Sequence, residues 1–172
     1  MRKPPAVIRV GLISDTHGLL RPEAIAFLQG SQRLVHAGDI GNPQVLEQLA
    51  SVASLDVVRG NNDPEAWAAD IPDSQRLKIG AARLFVLHDR TDLIGGVPPQ
   101  GTHVVIAGHS HKPLVEIREG ILFVNPGSAG PRRFKLPVAA GELSIEGRTL
   151  RARVIDLSTR RWLPGMSARL VI

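Results

Sequence analysis

The chain has no cysteine and no tyrosine, and only 3% of its 172 residues are aromatic. Without cysteine, disulfides and thiolate metal sites are excluded, so any metal must be held by His, Asp, Glu or Asn. With so few rings, aliphatic side chains must fill the core, and an aromatic-rich surface for stacking nucleic acid is lacking. No apolar stretch approaches the length of a membrane span. Met1-Arg2-Lys3 is basic and an apolar run follows, but Arg9 interrupts that run and no small-residue cleavage site precedes Asp15. A signal peptide is therefore not expected. The expectation is a cytoplasmic protein with no membrane partner.

What is present suits one domain over residues 1–172, with 43% hydrophobic residues available for a core. The net charge of +5 is unevenly placed: residues 1–115 balance 11 Lys/Arg with 11 Asp/Glu, whereas residues 116–172 hold 10 and 5. Such asymmetry marks either a nucleic-acid surface or a set of solvated strand faces. The second reading is favoured, because Arg151 and Arg153 alternate with apolar neighbours. A basic half also attracts anionic phosphate substrates without a dedicated polymer groove.

The run Val7 to Ser14 reads as a central buried strand that stops at Asp15-Thr16-His17. Arg21 to Gly30 reads as a helix, with Pro22 in its first turn, Glu23 at its positive end and Gly30 at its stop. Leu34 to Ala37 and Leu55 to Val58 read as strands, separated by a helix over Pro43 to Ala50. This alternation predicts βαβ units and a parallel sheet. The texture then changes. Ser74 to Ile79 and Ala82 to Leu87 form a near-hairpin, Arg90 to Gly101 a loop or short helix, and Val104 to Ala107 another buried strand. From 114 to 157 the pattern is antiparallel, with turns at Glu119-Gly120, Asn125-Pro126-Gly127-Ser128 and Glu146-Gly147. In the tail, 158–172, Pro164-Gly165 argues against any regular element.

Five strand ends carry polar clusters: Asp15 and His17, Asp39, Asn61, His88, and His109 with His111. In extended chain, residues i and i+2 point to one side, so Asp15 and His17 converge beyond the sheet, where open α/β sheets place ligands. Oxygen and nitrogen donors of this kind suit divalent transition metals. One ion takes about four to six ligands, so seven side chains suggest two ions, about 3.5–4 Å apart in hydrolytic sites. A short carboxylate on the Gly38-Asp39 turn could reach both, and Gly60 and Gly108 let backbone come close.

The ordered motifs Asp-x-His, Gly-Asp, Gly-Asn-x-Asp, His and Gly-His-x-His, over residues 8–128, resemble the calcineurin-like metallophosphoesterase superfamily. The short length and the Asn125-Pro126-Gly127-Ser128 turn are similar to its small prokaryotic phosphodiesterase branch. The resemblance implies an α/β fold: a four-layer α-β-β-α sandwich of two mixed sheets, with a metal site at the strand C-terminal ends. It implies that Asp15, His17 and His111 hold one metal, that Asn61, His88 and His109 hold the other, and that Asp39 bridges them. Manganese is the first expectation, with Ni, Fe, Co or Zn as alternatives. The implied activity is hydrolysis of a small phosphodiester by hydroxide made available at the dinuclear centre, where a bound water's pKa falls from 15.7 towards about 7. Asn61, Asp63 and His88 are the candidate catalytic residues. Alternatives are a nuclease, a cyclic-nucleotide hydrolase, or a non-catalytic protein-binding scaffold, since the family resemblance extends to a eukaryotic retromer subunit. A homo-oligomer is compatible with all of these.

Two positions depart from the family pattern. Asn62 stands where His or Cys is common, and an amide cannot supply a proton to a leaving alcohol at neutral pH. Asp89 follows His88 where Gly is common, and is expected to face solvent more than to orient an imidazole. His36 and His103 are expected to be structural. Arg132-Arg133, after a glycine-rich turn, is either a phosphate contact or a solvated pair, the latter being commoner.

Overall fold

The computed structural model describes residues 6–172, so the reading of Met1-Arg2-Lys3 lies outside the described residues. β1 (Val7–Ile13) pairs in parallel with β2 (Arg33–Ala37), which pairs in parallel with β3 (Ser54–Val58). The intervening helices are α1 (Pro22–Leu28) and α2 (Pro43–Ala50). Both begin with Pro, whose fixed φ and missing N–H suit a first turn. The Asn42 side chain caps α2 by accepting from Val45 N at 3.1 Å.

The chain then crosses to a second sheet. β4 (Ser74–Ile79) and β5 (Ala82–Leu87) form an antiparallel pair. β5 runs parallel to β6 (Val104–Ile106), and β7 (Leu114–Arg118) and β8 (Ile121–Asn125) form a hairpin whose second strand lies parallel to β6. The order is β4-β5-β6-β8-β7. The chain returns to the first sheet with β9 (Ala139–Glu146), β10 (Thr149–Asp156) and β11 (Arg161–Val171), giving the order β11-β10-β9-β1-β2-β3. Both sheets are mixed, as the resemblance implies.

Burial explains the layering. Val10, Leu12 and Val35 of the first sheet meet Leu84, Ile106 and Leu122 of the second in one buried cluster between the sheets. On the other side of the first sheet, Ala24, Leu28, Val45 and Leu49 of the helices cover Ile13 and Leu34. The outer face of the second sheet carries Val105, Ala107 and Phe123, and over it lies a chain segment with only two 3₁₀ turns, at Arg90–Asp92 and Ile94–Gly96. The fourth layer is therefore thin. Among the described residues, no helix is long and apolar enough to cross a membrane.

The tail departs from expectation: β11 is the longest strand, pairing with β10 from Thr149↔Val171 to Asp156↔Arg161. Pro164-Gly165 does not prevent this, for two reasons. β11 is an edge strand, where a missing N–H faces no partner, and the register shifts between Arg153 and Ile155 so that Leu163 to Met166 leave the ladder as a bulge, with Leu163 and Met166 packed against the core between the sheets. Trp162 then lies under the Arg153 guanidinium, 3.7 Å from the ring centre.

Candidate metal centre

The five strand-end clusters gather at one end of the sandwich. Asp15 and His17 do not converge through the pleat, as extended chain would have it. β1 stops at Ile13, and both residues adopt left-handed backbone, with φ of 55° and 46°. Asp39, His109 and His111 do the same, at 55°, 66° and 58°. Left-handed backbone costs about 1–2 kcal/mol at a residue with a Cβ. Its concentration on five of the seven candidate ligands marks a site whose geometry is imposed by the surrounding fold.

That imposition is visible in the hydrogen bonds. Asp15 N, His17 N and Gly18 N donate to the carbonyls of Gly38, Asp39 and Ile40, lacing the first loop to the second. His36, fully buried, accepts from Gly38 N at Nδ1 (3.1 Å) and lies 2.9 Å from Thr16 Oγ1 at Nε2. Thr16 Oγ1 donates its own proton to Ile40 O, so it accepts from His36 Nε2–H, which fixes the neutral tautomer. Burial pushes this imidazole down to about 4. Asp63, expected among the catalytic groups, lies against backbone. Its carboxylate is buried and accepts from the backbone N–H groups of Ile40, Gly41 and Gly60 at 2.8–3.0 Å, so it ties two loops together.

Asp39 stands between two sets of donors. Its Oδ2 lies 3.7 Å from His17 Nε2, and its Oδ1 lies 3.3 Å from His88 Nε2. Asn62 holds it in place: the backbone N donates to Oδ1 at 2.9 Å and the side-chain amide to Oδ2 at 2.8 Å. Burial alone would raise the Asp39 carboxyl, but His88 and the two Asn62 donors outweigh it and keep it well below the usual carboxylate range. The sequence offered no sign of this holding role for Asn62, because an amide after Asn61 reads equally as turn chemistry.

The first set is the more enclosed, with only His17 partly exposed. Asp15, His17, Asp39 and His111 each present an atom within 4.8 Å of all the others. His17 Nε2 and His111 Nε2 are 3.2 Å apart, and Asp15 Oδ1, 3.2 Å from His111 Nε2, is buried without a hydrogen bond. Buried oxygens are rarely left this way. A fixed carboxylate oxygen and two facing imidazole nitrogens fit a divalent cation. Burial pushes the His17 imidazole down, which keeps it a neutral donor; Asp39 and Asp15 oppose the shift, and His111 and Arg133 reinforce it.

The second set is more open. His109 Nδ1 lies 3.1 Å from Asn61 Oδ1 and 3.3 Å from His88 Nε2. His88 Nδ1 donates to Ala37 O at 2.7 Å, so its Nε2 is turned inward as a potential ligand. Burial pushes His88 down, but Asp39 and the Ala37 carbonyl outweigh it and raise it above its ordinary value. Asp89 is not simply solvated: its Oδ1 accepts from Thr91 N at 2.9 Å while its Oδ2 lies 3.4 Å from His109 Nε2. His103 lies away from the cluster, against Arg83.

Gly60 and Gly108 are small because of the ligands' neighbours. A Cβ on Gly60 would overlap Asp39 Oδ1, and one on Gly108 would overlap Ser14 Oγ and crowd Asp15 Oδ2. Ser128 Oγ donates to Asp15 O, and Asn125 Nδ2 to Gly108 O, so the Asn125-Pro126-Gly127-Ser128 turn braces two ligand loops.

Residues 8–147 match the calcineurin-like phosphoesterase superfamily domain. A probable metallophosphoesterase of Methanothermobacter thermautotrophicus is 31% identical over 159 residues, covering 85% of this chain and 91% of its own. A phosphodiesterase of Methanocaldococcus jannaschii is 25% identical over 167 residues, covering 87% of this chain and 100% of its own. In fold, the chain matches Vacuolar Protein Sorting 29 of Cryptosporidium parvum with a TM-score of 0.80 at 19% identity, over 96% of this chain and 99% of that one. With its ligand loops, its two mixed sheets and a match spanning most of its length, the chain belongs to the calcineurin-like phosphoesterase superfamily.

Proposed function

We propose that the protein is a metal-dependent phosphodiesterase acting on small substrates through two divalent ions, manganese first among them. Asp15, His17 and His111 would hold one ion, and Asn61, His88 and His109 the other. The observation that carries this reading is the position of Asp39, whose two carboxylate oxygens face different sets of donors. Ions bound there would supply the usual two-metal chemistry: an activated water and neutralisation of charge on the phosphoryl oxygens.

The chain's own residues do the rest. Buried hydrogen bonds fix His88 with one nitrogen inward, and the neutral His17 needs no deprotonation to act as a donor. The side-chain nitrogen of Asn61, on the open side, can donate to a phosphate oxygen. No general acid stands at the Asn61 loop, because Asn62 is an amide engaged with Asp39 and Asp63 is buried against backbone. The leaving oxygen must therefore depart with little help, which favours substrates with good leaving groups.

The test is turnover of bis(p-nitrophenyl) phosphate and p-nitrophenyl phosphate after reconstitution with Mn²⁺, Ni²⁺, Fe²⁺, Co²⁺ or Zn²⁺. The diester is expected to react faster, and Asp39→Asn or His111→Ala to abolish turnover. No diester cleavage with any of these ions removes the reading.

The structural likeness to Vacuolar Protein Sorting 29 supports a second reading, a scaffold that binds partner proteins. Every ligand position in this chain is filled by a donor residue, which favours the enzyme. Turnover of a diester by the metal-loaded protein separates the two, since a protein of this fold can hold a metal ion whether or not it is an enzyme.

A further inference from the structure

We infer that the outer face of the second sheet carries a subsite for a nucleoside-sized arm of the substrate. The inference rests on the phosphodiesterase reading for the reaction but on separate residues for the recognition. A groove of about 510 Å³ lies over the ends of β6 and β8, floored by Val105, Ala107 and Phe123 and edged by Thr91, Lys112 and Leu114. Ligand pockets span roughly 300–1,000 Å³, so this one is large enough for a ring system and far too large for a methyl ester.

Two features connect the groove to the metal centre. His109 and Asp89 line it, and the same two residues line a second cavity that contains Asn61 and His88. A ligand whose phosphate sits among Asn61, His88 and His109 thus has a path for its organic arm over the His109–Asp89 pair and into the groove. The first donor set is the more enclosed of the two, because Asp15, Asp39 and His111 are buried and only His17 is partly exposed.

The chemistry of the groove selects a flat ring with polar edges. The floor is apolar and comes from rigid strands, which suits the face of a heteroaromatic base. Part of the edge is polar: the Lys112 ammonium has no carboxylate partner among the described residues, whereas Arg90 is paired with Glu116 at 3.1 Å. Asn125, also in the lining, spends its amide on Gly108 O and Ser110 Oγ and is unavailable to a ligand. The groove exists because only 3₁₀ turns, with no helix, overlie this face.

The test uses competitive inhibition of one chromogenic diester assay by two probes, thymidine 5′-monophosphate and methyl phosphate, in the metal-loaded protein. A stacked base contributes about 1–3 kcal/mol, so the nucleotide is expected to inhibit at a concentration at least ~10-fold lower than methyl phosphate. Leu114→Trp, which fills the groove from the edge strand, is expected to raise the nucleotide's inhibition constant about 10-fold and leave methyl phosphate unchanged. Thr91→Trp, at an exposed position on the opposite rim, repeats the test if Leu114→Trp does not fold. Phenyl phosphate as a third probe separates a nucleoside from any aryl group, and equal inhibition by phenyl phosphate and the nucleotide overturns the nucleoside assignment. Equal inhibition by all three probes, or no change in both variants, overturns the subsite itself. Should the protein turn over no diester, the phosphodiesterase reading fails, and calorimetric titration of thymidine 5′-monophosphate into wild type and variant still decides the groove.

Discussion

Asp15 Oδ1 lies 3.2 Å from His111 Nε2, both side chains are almost fully buried, and the carboxylate oxygen makes no hydrogen bond. A buried carboxylate in this condition is costly unless a cation compensates it. Metal binding should therefore stabilise the fold as well as serve chemistry. At about 100-fold excess over Kd, a ligand specific for the folded state adds about 2.7 kcal/mol. For a chain of this size that corresponds to a rise in Tm of roughly 5–10 °C. Scanning calorimetry with Mn²⁺ and then with EDTA measures it. Asp15→Asn should lose the share of the metal-induced rise that comes from the ion held by Asp15, His17 and His111, while keeping a metal-free Tm at least equal to wild type, since Asn accepts the left-handed backbone at φ 55° and carries no buried charge. A variant with the full wild-type rise would exclude Asp15 from the binding set.

A second prediction concerns the missing proton donor. Replacing Asn62 by His puts a titratable group beside the reacting phosphate, where general acid catalysis contributes about 10²–10⁴-fold. Asn62→His should accelerate alkyl diesters by up to ~10² while changing p-nitrophenyl esters little, because p-nitrophenolate leaves without protonation. The variant also gives up the side-chain bond to Asp39 Oδ2, so metal affinity is measured in parallel. Uniform loss on both substrate types would show that holding Asp39 is the greater contribution of Asn62.

Strands β1, β2, β3, β5 and β6 are legible because each is a short Val-, Ile- or Leu-rich run closed by a polar cluster, a pattern with a direct physical cause. β11 is not, because Pro164-Gly165 breaks its period and only the three-dimensional fact of an edge with a bulge makes the break tolerable. The gathering of Asp15, His17, Asp39, His88, His109 and His111 at one end could be anticipated from their positions after strands. The means could not: Asp and His adopt left-handed backbone more readily than most residues, but only the fold shows that Asp15 and His17 do so here. The setting of Asp63 is not legible for a related reason. An Asp after a strand can face substrate or accept backbone N–H groups, and the sequence does not say which loops come near it. Asp89 and Asn62 follow the same logic, since their partners His109 and Asp39 are far along the chain.

The buried imidazole of His36 gives a pH dependence with a definite sign. In the unfolded chain it titrates near 6.5, whereas burial lowers it to about 4 in the fold. Below 6.5 the unfolded state binds a proton that the folded state does not, so stability is full above the unfolded value and declines as pH falls, until the folded group titrates near 4. The difference corresponds to a loss on the order of 3 kcal/mol across that window. Denaturant titration of metal-free wild type and His36→Asn over the same range isolates the contribution, because other groups are common to both. His88, raised in the fold, acts in the opposite direction and cancels in the comparison. Parallel stability curves for the two proteins would mean that His36 is protonated in the fold.

Gly60 connects local sterics to the metal centre. It is not among the residues with left-handed backbone, so its requirement is for space. A Cβ at this position would overlap Asp39 Oδ1 and Asp39 N, and neither can retreat: Asn62 N holds the oxygen, while the backbone around Asp39 is laced to His17 N and to the Asp63 carboxylate through Ile40 N. Gly60→Ala must therefore displace either the Asn61 loop or the Asp39 carboxylate. Small displacements of positioned groups cost about 10²-fold in rate. The expected result is a drop in kcat of at least ~10² at saturating Mn²⁺, with a secondary-structure content matching wild type by far-UV circular dichroism. Gly95, exposed with nothing near its Cβ position, provides the control: Gly95→Asn at φ 62° should leave the rate unchanged. If Gly60→Ala instead retains full activity, the Asn61 and Asp39 loops are free to separate, and Asp39 is not held where it can face both donor sets.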